Sequence, residues 1–147
     1  MNERATSGPL SGIRVMEFGQ VLAGPYTGLM LADQGAEVIK IEPPAGDPSR
    51  GYMPPNVDGH SPYFLSMNRN KLGVCLNLKA PAGRDAALAM VAKMDVVTEN
   101  FRTGVMDRLG LGYDAMKAIN PGIIYCAVSG YGRSGPFADR AGYDPIA

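Results

Sequence analysis

Histidine is nearly absent from this chain, cysteine is scarce and tryptophan is missing. His60 is the only histidine, and Cys75 and Cys126 are the only cysteines. That leaves too few ligands for a Cys/His metal site, so no metal is expected. It also leaves no visible nucleophile–base pair: Ser129 and Ser134 have no histidine near them, and His60 sits in a proline-rich loop. Net charge is missing as well. Fourteen basic side chains balance fourteen acidic ones, without the basic excess of a nucleic-acid protein, and no nucleic-acid partner is expected. No apolar run approaches the roughly 18 residues that span a bilayer. The opening MNERATSG has no apolar signal core. Both cysteines lie in apolar runs and read as buried, reduced thiols, which places the protein in the cytoplasm and away from membranes.

The rest of the composition is that of a folded domain. Apolar residues make up 46% and charged residues 19% of 147, enough for one domain with a core. The stretch from Ile13 to Pro44 organises it. Ile13, Val15, Met16 and Phe18 suit a strand buried on both faces. A loop, Gly19 to Pro25, follows, with Pro25 suited to the first helical position. Tyr26, Leu29, Met30 and Ala32 recur at helical spacing up to Gly35, a fitting helix end. A second strand, Ala36 to Glu42, stops at Pro43-Pro44. Strand, helix and strand in so short a span imply a right-handed crossover and a parallel pair.

Residues 43 to 62 form a long loop rich in proline and glycine, expected to cover something or meet a partner. Tyr63 to Met67 reads as a helical turn or a strand, and Asn68 to Lys71 as a polar turn. Gly73 to Leu78 reads as a third strand with Lys79 at its end. A helix opened by Pro81 carries a stripe of Ala86, Ala87, Met90, Val91 and Met94. Asp95 to Glu99 is a fourth strand, Val105 to Leu109 and Tyr113 to Ile119 are helical, and Gly122 to Ser129 is a fifth strand. The tail reads as loop. Alternating strands and helices predict an α/β fold, a doubly wound parallel sheet. No helix follows the fifth strand, and Asp144 to Ala147 reads as the start of something, so a piece of a longer chain is expected.

In a parallel sheet the segments after each strand share one edge, where such sheets bind ligands. Gln20 to Leu22, Pro43, Lys79, Asn100 to Arg102 and Gly130 to Gly135 would meet there. Lys79, Arg102 and Arg108 beside Val21, Leu22 and Leu76 suit a phosphorylated ligand with an apolar portion. Gly130 to Gly135 matches G-x-G-x-x-G, but Pro136 follows at once and no helix opens, so a glycine loop is the better reading. Glu37 and Glu42 read as strand-edge or turn residues.

The ordered motifs PLSGIRVMEF with VLAGP, GAEVIKIE, NRNK, Leu76-Asn77-Leu78-Lys79, ENF with Arg102, DRLGLG and SGYGRSGP with AGYD resemble the class III CoA-transferases. That group includes formyl-CoA transferase, carnitine CoA-transferase and α-methylacyl-CoA racemase. The resemblance runs from Pro9 to the last residue. It implies a Rossmann-like large domain, of which residues 1–147 would be the N-terminal part, with its remainder and a smaller second domain outside this chain. It also implies an interlocked homodimer. Coenzyme A or acyl-CoA and a carboxylic acid would be substrates, with no tightly bound cofactor. Carried over by motif, Val21 and Leu22 would contact CoA, and Leu76, Asn77, Leu78 and Lys79 would flank its adenine and phosphates. Asn100, Phe101 and Arg102 would follow pantetheine and pyrophosphate, and Arg108 would bind phosphate. Pro43 stands where relatives often carry arginine, with Lys40 or Arg50 as stand-ins. Gly142, Tyr143 and Asp144 are acyl-pocket candidates. The nucleophilic aspartate of the family's Gly-Asp motif has no match, so no catalytic residue is assigned and this part alone would be inactive. The racemases carry histidine where Tyr143 stands, which favours transferase. An epimerase of the same family and a non-catalytic CoA-binding module are the alternatives.

Overall fold

The computed structural model describes residues 7–142. Five strands form one sheet in the order β3-β2-β1-β4-β5, with every pairing parallel. They are β1 (Arg14–Glu17), β2 (Glu37–Glu42), β3 (Lys71–Cys75), β4 (Val96–Glu99) and β5 (Ile124–Ala127). The helices are α1 (Ala23–Asp33), α2 (Pro62–Asn68), α3 (Pro81–Val91), α4 (Val105–Arg108) and α5 (Tyr113–Ile119), with a 3-10 turn at Pro48–Gly51. The expected Rossmann-like α/β sheet is thus present, with β1 at its centre.

Residue alternation along the strands splits the core between two faces. Met16, Phe18, Ile41 and Val97 meet Ala87, Val91, Met94, Met106, Leu111, Met116 and Ile123 in one continuous apolar cluster. On the other face Val15 and Val38 meet Ala32 and Ala36 in a smaller one. The smaller apolar cluster leaves room on that face for charges.

Several local expectations are corrected. Helix α1 starts at Ala23, so Pro25 lies inside its first turn. Its buried face is Gly24, Pro25, Gly28, Leu29 and Ala32, while Tyr26 and Met30 are 51% and 50% exposed. Glycines rather than large apolar residues let α1 approach the sheet. Strand β3 runs from Lys71 to Cys75, earlier than expected, because its pairing with β2 begins at Val38–Lys71 and ends at Glu42–Cys75. Leu76 to Lys79 are therefore loop, and Lys71 is strand. The cysteines are not both buried: Cys75 is exposed at the end of the edge strand β3, and Cys126 is half-buried. In α3 the buried side is Ala87 and Val91, continued by Met94, while Ala86 is exposed. Tyr63 to Met67 belong to helix α2, which Ser61 caps by accepting the Phe64 N–H.

Candidate functional site

The carboxyl edge of the sheet carries the segments expected to bind a ligand. Across it run, in sheet order, Leu76 to Lys79 after β3, Pro43 after β2, Gly19 to Leu22 after β1, and Asn100 to Arg102 after β4. Three strand spacings separate the first from the last, roughly 14 Å.

The central loop is held rigidly. Asn100 accepts the Gln20 N–H at 2.8 Å and donates to the Gln20 carbonyl at 2.9 Å. A Cβ on Gly24 would come 2.9 Å from Asn100 Oδ1 and 2.7 Å from the Gly19 Cα, so only glycine permits this approach. Val21 sits at φ +64, a left-handed conformation that a β-branched residue adopts only under constraint. Its N–H donates to both carboxylate oxygens of Asp47 at 3.3 Å. The loop thus has its Gln20 and Val21 N–H groups engaged within the protein. Val21 and Leu22 themselves are half-buried.

Beneath this loop lies a buried ionic network that sequence reasoning missed. Lys40 Nζ contacts Glu17 Oε1 at 3.1 Å and Asp47 Oδ2 at 3.0 Å, and donates to the Gly19 carbonyl at 2.7 Å. Lys71 Nζ lies 2.7 Å from Glu17 Oε2 and donates to the Pro25 carbonyl at 2.7 Å and to Asn68 Oδ1 at 3.2 Å. Both lysine side chains are 2% exposed, and those of Glu17 and Asp47 are 0%. Burial pulls the Lys71 pKa below its ordinary value, against the opposing pull of Glu17. Burial acts to raise the Asp47 carboxyl, but bonds from the Ser49 hydroxyl and N–H, and the Lys40 charge, outweigh it and hold it low. Charged residues inside strands covered on both faces must find partners; Glu17, Lys40 and Glu42 carried that signal.

Neither stand-in for the arginine absent at Pro43 is open. Lys40 is buried in the network. Arg50 is half-exposed but grips Glu42, Nε to Oε2 at 2.7 Å and Nη2 to Oε1 at 2.8 Å, and lies 3.7 Å over the Phe64 ring. The Glu42 bond raises the Arg50 pKa. Burial acts to raise Glu42, yet Arg50, the Asp47 N–H and Lys40 bring it below its usual range. Glu42 is therefore a buried ion-pair partner and no simple turn residue. Pro43 and Arg50 border an open cleft of about 460 Å³ whose lining includes Gly46, Gly73 and Cys75.

The remaining expected residues divide by exposure. Leu76, Leu78 and Phe101 are half-buried against the larger core cluster. Asn77 makes a turn, its carbonyl accepting from the Ala80 N–H and its side chain from the Lys79 N–H. The side chains of Lys79, Arg102 and Arg108 are exposed. Among the described residues none has an acidic partner within 4.0 Å. Arg108 folds back over the loop after β4: a Cβ on Gly104 would lie 3.0 Å from its Nη1. Gly142 is exposed; Tyr143 and Asp144 lie outside the described residues.

A second unforeseen centre is Glu99, fully buried at the end of β4. It accepts the Phe101 N–H at 2.8 Å and the Tyr125 hydroxyl at 3.3 Å, and pairs with Arg133 from the glycine loop. Burial first, and the Glu99 charge second, push the Tyr125 pKa up. Thr103 donates to the Ala138 carbonyl at 2.8 Å, which ties the segment following that loop to the edge. Among the described residues no group of three or more His, Cys, Asp and Glu is placed to hold a metal ion. No helix there is long and apolar enough to cross a membrane.

Residues 10–147 match the CoA-transferase family III. The chain belongs to that family. It is 48% identical over 140 residues to a mouse (Mus musculus) succinyl-CoA:glutarate CoA-transferase, covering 95% of this chain and 32% of that relative. It is 46% identical over 145 residues to a succinate–glutarate CoA-transferase of Agrobacterium fabrum, covering 94% and 36%. A crystal structure of a CAIB/BAIF family protein from Brucella suis superposes with a TM-score of 0.90 at 45% identity, covering 95% of this chain and 38% of that one. The chain therefore spans about a third of the length of the curated relatives it matches.

Proposed function

We propose that the whole protein transfers CoA between carboxylic acids and that this part grips the CoA. What supports the reading is a set of exposed cations, Lys79 and Arg102 in the segments after β3 and β4 and Arg108 reaching back to Gly104, with Val21 and Leu22 in the loop after β1 between them. Cations with no acidic partner among the described residues can make charge-assisted bonds to phosphates. The half-buried Leu76, Leu78 and Phe101 offer an apolar floor. Asn100 acts on the loop, through Gln20.

The relatives' names point to succinyl-CoA as donor and a short dicarboxylic acid such as glutarate as acceptor. In this reading a nucleophilic aspartate beyond residue 147 attacks the thioester, forming an aspartyl anhydride and releasing CoA thiolate. The thiolate then displaces the donor acid to give an aspartyl-CoA thioester, from which CoA passes to the acceptor and the aspartate is freed. Gly142, Tyr143 and Asp144 would line the acyl pocket, and Tyr143 in place of a histidine base supports transfer over epimerisation. Two chains would interlock as a homodimer, with residues 1–147 forming the N-terminal part of the large domain. Its two free thiols suit a reducing compartment such as the cytoplasm.

The test is to mix the full-length protein with succinyl-CoA and glutarate and follow products by mass. Appearance of glutaryl-CoA and succinate is the expected result. Absence of exchange with every short carboxylic acid tried, or α-proton exchange of a branched acyl-CoA in heavy water, would overturn it.

A further inference from the structure

The long proline-rich segment after β2 has no role in the reading so far, yet it delivers Asp47 to the underside of the ligand loop. The loop's polar backbone groups are met from three directions. Lys40 of β2 takes the Gly19 carbonyl at 2.7 Å. Asn100, after β4, takes both polar groups of Gln20. Asp47 takes the Val21 N–H, at 3.3 Å to each oxygen. Asp47 is itself fixed on all sides: by Lys40 at 3.0 Å, by the Ser49 N–H at 2.9 Å and by the Ser49 hydroxyl at 2.7 Å. Its backbone N–H in turn donates to Glu42 Oε2 at 2.9 Å.

Val21 makes this arrangement informative. A β-branched residue at φ +64 is strained, and such strain persists only where neighbours over-determine it. Glycine at this position would remove the strain. A fully buried carboxylate aimed at the strained residue's N–H supplies the constraint.

We propose that Asp47, fixed by Lys40, is a positioning residue. It holds Gly19 to Val21 in the strained conformation that presents Val21 and Leu22 to the CoA arm. This rests on the CoA reading above for what the loop presents to, but not for the holding itself. Pre-organisation of this kind spares the ligand the cost of ordering the loop.

The experiment compares the full-length protein with its Asp47→Asn and Ser49→Ala variants. Amide hydrogen exchange reads the loop, and calorimetry reads CoA. Asp47→Asn keeps the shape and loses the charge. Exchange at Gly19 to Leu22 should speed by about tenfold or more while the amides of β1 and β4 stay protected, and CoA should bind about tenfold more weakly. Ser49→Ala removes only one hydroxyl bond to Asp47 and should give the same pattern at about fivefold; it carries the test if Asp47→Asn does not fold. Loop exchange unchanged in both variants would overturn the proposal. So would exchange rising equally throughout the sheet, which marks a merely stabilising role. If the loop loosens as expected but the parent protein does not bind CoA, the positioning stands and the ligand assignment falls.

Discussion

Two groups of cations occupy this molecule, and they behave in opposite ways. Lys40 and Lys71 lie under the loop after β1, almost wholly buried, each within 3.1 Å of a carboxylate. Lys79, Arg102 and Arg108 stand on the rim beyond β3 and β4, exposed and, among the described residues, without an acidic partner. The first group shapes the site and the second is open to a ligand. A buried lysine without its carboxylate leaves an uncompensated charge, whereas an exposed one loses only its own interactions. Sequence alone counts both groups as basic residues of equal standing.

The largest expected effect comes from breaking the buried group. Glu17→Ala removes the carboxylate that Lys40 and Lys71 share, leaving Lys71 with none and Lys40 with Asp47 alone, and should destabilise the fold by about 3–5 kcal/mol, read from denaturant midpoints. Gly28→Ala strikes the same point from α1, because its Cβ would overlap Glu17 Oε2; a loss of about 1–3 kcal/mol is expected. A loss below about 0.5 kcal/mol in either would erase the contrast between the two groups.

Acid sharpens the comparison next. Glu42 and Asp47 titrate below their ordinary 4.5 and 3.8 in the folded protein. Their contribution is complete above those values and is lost as pH falls through the lower, folded ones. Lys71 titrates below its ordinary 10.5. The unfolded chain then binds that proton more tightly, so stability rises with pH in the window just under 10.5. Lys71→Met should abolish that alkaline rise in a urea series, while Lys79→Met should leave it intact. The smallest effect belongs to the exposed Arg69–Asp33 pair on the surface: Arg69→Ala should change stability by less than about 0.5 kcal/mol.

The sheet was legible because apolar runs bounded by Gly and Pro announce its strands, and the ordered motifs announced the family. The start of β3 was not, since Asn68-Arg69-Asn70-Lys71 has turn composition while Lys71 is drawn into the strand by pairing with Val38 and by Glu17. The α1 face misled for a related reason. Close approach to Glu17 demands Gly28 there, so the large residues Tyr26 and Met30 turn outward. Asp47 and Glu99 escaped notice because their partners, Val21 and Arg133, are 26 and 34 residues away and meet them only in the folded chain. For Glu99 the available clue was a charge embedded in a strand; Asp47, in a loop, carried none.

Calorimetric titration of CoA into the full-length protein, parent against Lys79→Ala and Arg108→Ala, tests the division most directly. Each substitution should weaken binding about tenfold or more, as loss of a charge-assisted bond does, with the unfolding midpoint essentially unmoved. Parent-like CoA affinity in both variants would contradict the account.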